Sequence, residues 1–132
     1  MDGLPDEQDY HFCSSESSRV GEPLWLNLND EGKMNGELEK KTVWSLHYLD
    51  REKGICYFGH PESGSFGAIH HEERDARVME EPQHWVIKKG DDGYIVTREF
   101  DGEELFSHLD KDGKMTASTT HHSWVFEPAN KK

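Results

Sequence analysis

As a pattern of apolar and polar positions, the chain is a succession of short hydrophobic runs separated by polar turns. The clearest run is Leu24-Trp25-Leu26-Asn27-Leu28, a strict alternation that sets three leucines on one face and Trp25 and Asn27 on the other. Asn29-Asp30-Glu31-Gly32 follows as a tight turn whose glycine can take the left-handed conformation, and residues 33–38 return as a strand. The same order reappears late in the chain. Leu105-Phe106-Ser107-His108-Leu109 is followed by the turn Asp110-Lys111-Asp112-Gly113 and then by Lys114-Met115, matching Lys33-Met34 without a gap.

Three tryptophans, Trp44, Trp85 and Trp124, recur about forty residues apart, and each opens a short apolar stretch. A fixed period of that length marks a repeat architecture. The runs add up to twelve short strands, four per unit, with no helical period longer than a turn. The units are expected at about 9–50, 51–90 and 91–128, together forming a single domain over 9–132 behind an acidic leader, 1–8, expected to be flexible. Tyr10, Ile55 and Tyr94 are expected as equivalent inward positions, with Phe12, Tyr57 and Val96 one pleat further on. Leu46, Ile87 and Phe126 form another layer.

Composition alters this picture in two ways. Only 33% of residues are hydrophobic and 32% are charged, a balance that would favour disorder if the chain lacked its four Trp, four Tyr and six Phe. The expectation is therefore a small aromatic core under a charged skin. The net charge of −12 repels phosphate backbones and anionic lipid, which argues against nucleic-acid and membrane partners. The opening residues have neither a basic start nor an apolar run, and Cys13 and Cys56 are the only cysteines. A cytoplasmic protein with free, structural thiols is expected.

Candidate chemistry is sparse. His70-His71 and His121-His122 are adjacent pairs, and neighbours in a strand point to opposite faces, so neither pair chelates through one side. The Asp110–Gly113 tetrad starts like a calcium loop, but its twelfth position is His121 rather than a bidentate Glu. No metal or cofactor is expected, and no catalytic residue is assigned. Trp25 and Phe106 are more informative. If the leucines around them face inward, both aromatics face outward, where they suit sugar stacking or a protein contact; the alternative is packing under a neighbouring loop.

Twelve strands in three fourfold units, with Gly93-Tyr94 opening a strand, a tryptophan in each fourth strand and Gln83-His84-Trp85, resemble a β-trefoil over nearly the whole chain. The other architecture considered is an antiparallel barrel of lipocalin-like connectivity. The Gln-x-Trp element is similar to that of ricin-B-like lectins, with Thr42 and His122 in place of the Gln elsewhere. That resemblance implies a non-enzymatic sugar-binding surface using Trp25, Asn27, Asp101, Phe106 and His108. Small fungal trefoil protease inhibitors are the second resemblance. They imply activity in exposed loops, here Arg19 and Val20 in one loop and His60, Pro61 and Glu62 in another, with a protease or other protein as partner.

Overall fold

The computed structural model describes residues 3–17, 21–70, 75–90 and 93–129. These form twelve strands: β1 (Asp9–Ser17), β2 (Pro23–Leu28), β3 (Met34–Glu37), β4 (Trp44–Asp50), β5 (Ile55–His60), β6 (Ser65–Ile69), β7 (Ala76–Met79), β8 (Trp85–Lys89), β9 (Tyr94–Phe100), β10 (Glu103–Leu109), β11 (Met115–Ser118) and β12 (Trp124–Pro128). Among the described residues the only helical element is a single 3-10 turn at Arg51–Lys53. The fold is all-β, and the strands pair antiparallel into one sheet.

Six strands close a ring. β1 pairs with β4, β4 with β5, β5 with β8, β8 with β9, β9 with β12, and β12 returns to β1. Closing the ring leaves none of these strands with a bare edge. The other six strands form three hairpins, β2–β3, β6–β7 and β10–β11, each fed by a ring strand. The hairpins also bond to one another: Gly36 N–H donates to Gly113 O at 2.8 Å and Val78 N–H to Gly32 O at 3.0 Å.

The pairing register is copied from unit to unit. Trp44 faces Tyr10, Trp85 faces Cys56 and Trp124 faces Tyr94, and all three indoles are buried. In the hairpins, Leu28–Met34, Ile69–Ala76 and Leu109–Met115 are matched pairs. Three positions away, Trp25–Glu37, Phe66–Met79 and Phe106–Ser118 are matched as well. The interior between ring and hairpins is apolar and holds a cavity of about 40 Å³. Ligand pockets for small molecules run to roughly 300–1,000 Å³, so a binding surface must be sought outside.

One inward assignment shifts by a residue. In the first four residues of β5 the buried positions are Cys56 (0% exposed) and Phe58, whereas Ile55 and Tyr57 are only half-buried. The run Ile55-Cys56-Tyr57-Phe58 is apolar on both faces, so alternation cannot choose between them. The choice is made by the 3-10 turn and the register shift between Tyr48 and Asp50, which bring Ile55 opposite Asp50 and Cys56 opposite Trp85. The turn closes on Gly54 at φ 74°, where a Cβ would lie 2.5 Å from Ile87 O. Residues 3–8, expected as a flexible leader, are held against one end of the ring. Tyr48 and Tyr10 hydroxyls donate to Pro5 O (2.6 Å) and Asp6 O (2.7 Å), and Leu46 N–H donates to Gln8 O (3.0 Å).

Candidate functional site

The shared register puts an aromatic side chain at one outward position of every hairpin: Trp25, Phe66 and Phe106. All three are half-buried, and all three point away from the interior because the next residues, Leu26, Gly67 and Ser107, line it. Each sits opposite a ring-strand residue, namely Cys13, Gly59 and Thr97. Two are covered by the residue three positions before the tryptophan of their unit. Lys41 Nζ lies 4.0 Å from the Trp25 ring centroid, and the His121 ring lies 4.3 Å from Phe106. Pro82 holds that position in the second unit, where Phe66 meets Tyr57 edge-on at 5.6 Å.

In the first two units the residue two before the tryptophan is a clamp on the hairpin. Thr42 Oγ1 accepts from Leu28 N–H at 2.8 Å, and Gln83 Oε1 accepts from the matched Ile69 N–H at 2.8 Å while its Nε2 donates to Ile69 O at 3.0 Å. The glutamine of Gln83-His84-Trp85 thus satisfies backbone groups that burial would otherwise leave unpaired. His122 occupies the third such position. Its Nε2 is 3.1 Å from Ser14 Oγ, and its ring packs on His108 (4.7 Å) and Trp124 (5.1 Å).

The richest polar surroundings belong to Trp25. Asn27 follows it on the same face of β2, and Asn35 and Glu37 lie opposite on β3. Thr42 Oγ1 donates to Asn27 Oδ1 (3.3 Å), Asn27 Nδ2 to Asn35 Oδ1 (3.3 Å), and Asn35 Nδ2 to Glu37 Oε2 (3.0 Å). The result is an indole flanked by a connected row of hydroxyl, amides and carboxylate. On its other flank, Glu127 Oε1 lies 3.6 Å from Lys41 Nζ and 3.7 Å from His11 Nδ1. Cys13, across from Trp25, is a poor nucleophile because burial, and then Glu127, raise its thiol pKa.

The remaining expected residues are dispersed. Asp101 (φ 53°) and Gly102 (φ 84°) form the exposed two-residue turn between β9 and β10, with Phe100 paired to Glu103. Phe106 lies three residues beyond Glu103 along β10, about 10 Å from it at strand spacing. His108 shares the outward face of Phe106 and is engaged with His122. His60, Pro61 and Glu62 line a groove of about 560 Å³ with Asn29, Asp30 and Lys41. His60 itself is buried, its Nδ1 2.7 Å from Ser63 Oγ, while Pro61 and Glu62 are exposed. Arg19 and Val20 lie outside the described residues.

Phe66, Asn35, Glu37 and Lys41 belong to this surface and were not singled out from the sequence. Lys41 and His121 carry a usable signal, their common offset before a tryptophan. Phe66 is masked because Gly67 breaks the alternation seen in β2 and β10. Among the described residues no three His, Cys, Asp or Glu side chains converge as a metal ion would require. No protein-family model matches this sequence and no curated protein matches it, so its chemistry is read from these side chains alone.

Proposed function

We propose that the chain is a β-trefoil acting as a non-enzymatic carbohydrate-binding protein, with its sugar surface on the first hairpin. The observation that carries this reading is the outward Trp25 beside the hydrogen-bonded row Asn27–Asn35–Glu37. A sugar ring offers C–H groups on its face and hydroxyls at its edge. It therefore asks for an aromatic plane with amide or carboxylate groups alongside, since a polar group left unpaired on burial costs about 1–3 kcal/mol. Trp25 supplies the plane, and Asn27, Asn35 and Glu37 supply both donors and acceptors. Phe106 with His108 and His121 is the corresponding, less polar position in the third unit. The charge of −12 is compatible with a neutral sugar and disfavours polyanions, including nucleic acid.

A glycan array followed by calorimetry tests the reading. Trp25→Ala and Asn35→Ala should each weaken binding at least tenfold, the loss of about 1.4 kcal/mol or more, without lowering the melting temperature appreciably. No glycan binding by the folded protein would end it.

One observation favours a second reading, a loop that inserts into a protein cleft. The turn between β5 and β6 is exposed yet braced: Gly64 N–H donates to His60 O (2.9 Å), and Ser63 Oγ accepts from Ser65 N–H (3.2 Å) while touching His60 Nδ1. A braced protrusion loses little entropy on binding. Protease inhibition that disappears when Pro61 and Glu62 are replaced would select this reading over the first.

A further inference from the structure

The ring face of Trp25 is already occupied by a cation. Lys41 Nζ stands 4.0 Å from the indole centroid and 3.6 Å from Glu127 Oε1, and Glu37 lies directly opposite Trp25 across the β2–β3 ladder. An aromatic face with a carboxylate beside the cation that covers it is the arrangement that recognises an ammonium group. Lys41 is held lightly. Its side chain is 38% exposed, and among the described residues its ammonium makes only the ring contact and the long ion pair. Interactions of both kinds are weak at exposed positions. Lys41 lies in the segment between β3 and β4, outside both ladders, so moving its side chain breaks no strand pairing.

We infer that the Trp25 surface takes an amino sugar, and that Lys41 is an internal stand-in for the ligand's ammonium, displaced when the ligand binds. This rests on the carbohydrate-binding reading above and narrows its ligand class. In the bound state the sugar's C–H face stacks on the indole, its ammonium lies by Glu127 where Lys41 Nζ now sits, and its hydroxyls meet Asn27 and Asn35. The acidic surface as a whole draws a cationic sugar towards the site, with an attraction that salt screens. The second unit has Met79 opposite Phe66 where Glu37 faces Trp25, and His47 paired with Tyr57 where Glu127 pairs with His11, so it offers an ammonium no carboxylate at either place.

The test titrates the full chain with a glucosamine oligomer and with its N-acetylated counterpart, which has the same ring without the charge. The wild type should prefer the glucosamine oligomer, and Lys41→Ala should tighten that binding roughly tenfold by removing the internal competitor. A gain of binding cannot come from misfolding. Glu127→Gln should narrow the preference between the two oligomers, and raised salt should narrow it too. Equal binding of both oligomers, or weaker glucosamine binding by Lys41→Ala, would overturn the inference while leaving the carbohydrate reading standing. If neither oligomer nor any other glycan binds, the carbohydrate reading fails first. Binding of an oligolysine peptide in place of any sugar would likewise overturn the inference.

Discussion

On β2–β3 the outward positions hold Trp25, Asn27, Asn35 and Glu37, whereas the register-matched positions of β6–β7 hold Phe66, the buried Ala68, Arg77 and Met79. The backbone frames correspond pair for pair, and so do their clamps, Thr42 on Leu28 and Gln83 on Ile69. The side chains on that frame do different work. Phe66 packs edge-on against Tyr57, which stacks in turn on His47 at 5.1 Å, and its ring lies over Gly59, where a Cβ would be 4.0 Å from it. Its surface is used for internal packing. Trp25 instead carries Lys41 on its face and a polar row at its edge. A ladder of backbone hydrogen bonds fixes where an outward residue stands and leaves its chemistry free, so equivalent positions can diverge into a packed support and a polar face.

The largest effect should come from breaking what the two regions share. Trp85→Ala, or Trp44→Ala, removes a fully buried indole and should cost about 3–5 kcal/mol, much of the ~5–15 kcal/mol that holds a domain of this kind. Denaturant unfolding measures it, and a midpoint unmoved by either change would show that the units do not share a core.

Turn geometry comes next. Gly54→Ala places a Cβ 2.5 Å from Ile87 O at φ 74° and should cost about 1–3 kcal/mol. Gly102→Ala, at φ 84° with nothing within 4 Å, should cost about 1 kcal/mol from conformation alone. Equal losses at the two sites would mean that the β4–β5 turn does not press on β8.

Cys56 gives a pH signature in the second unit, of the same sign as that of the buried Cys13 thiol in the first. Burial pushes the Cys56 thiol up to about 12, from an ordinary value of 9. The folded state therefore retains a proton that the unfolded chain releases. The contribution is intact below pH 9 and is lost as pH climbs towards 12, by about 1 kcal/mol at pH 10. The gap between stability at pH 8 and pH 10 should narrow in Cys56→Ala, the buried Cys13 thiol and Tyr10 hydroxyl keeping part of it, and an unchanged gap would place the alkaline sensitivity elsewhere.

The smallest effects sharpen the contrast between the two outward faces. Phe66→Ala should cost about 0.5–1.5 kcal/mol through its lost aromatic contact, beyond the area it buries. Asn35→Ala should stay within about 0.5 kcal/mol, as for an ordinary surface position, and act on sugar binding instead. A reversal of that order in thermal melts would mean that the polar row of the first hairpin is structural.

The alternation of Leu24–Leu28 and Leu105–Leu109 was enough to place Trp25 and Phe106 outward, because a period of two admits only one assignment when one face must be apolar. The spacing of Trp44, Trp85 and Trp124 was likewise enough to divide the chain into units, since each indole needs the same buried place opposite a ring strand. The sequence could not choose the inward face of Ile55-Cys56-Tyr57-Phe58, where both faces are apolar and a turn sets the register. Nor could it join Trp25 to Asn35, Glu37, Lys41 and Glu127. Those contacts depend on strand pairing and ring closure, which bring residue 25 beside residues 37 and 41 and carry residue 127 across from the far end of the chain. A local pattern records which way a side chain points; what it meets there is decided by partners distant in sequence, through hydrogen-bond registers that no single strand contains.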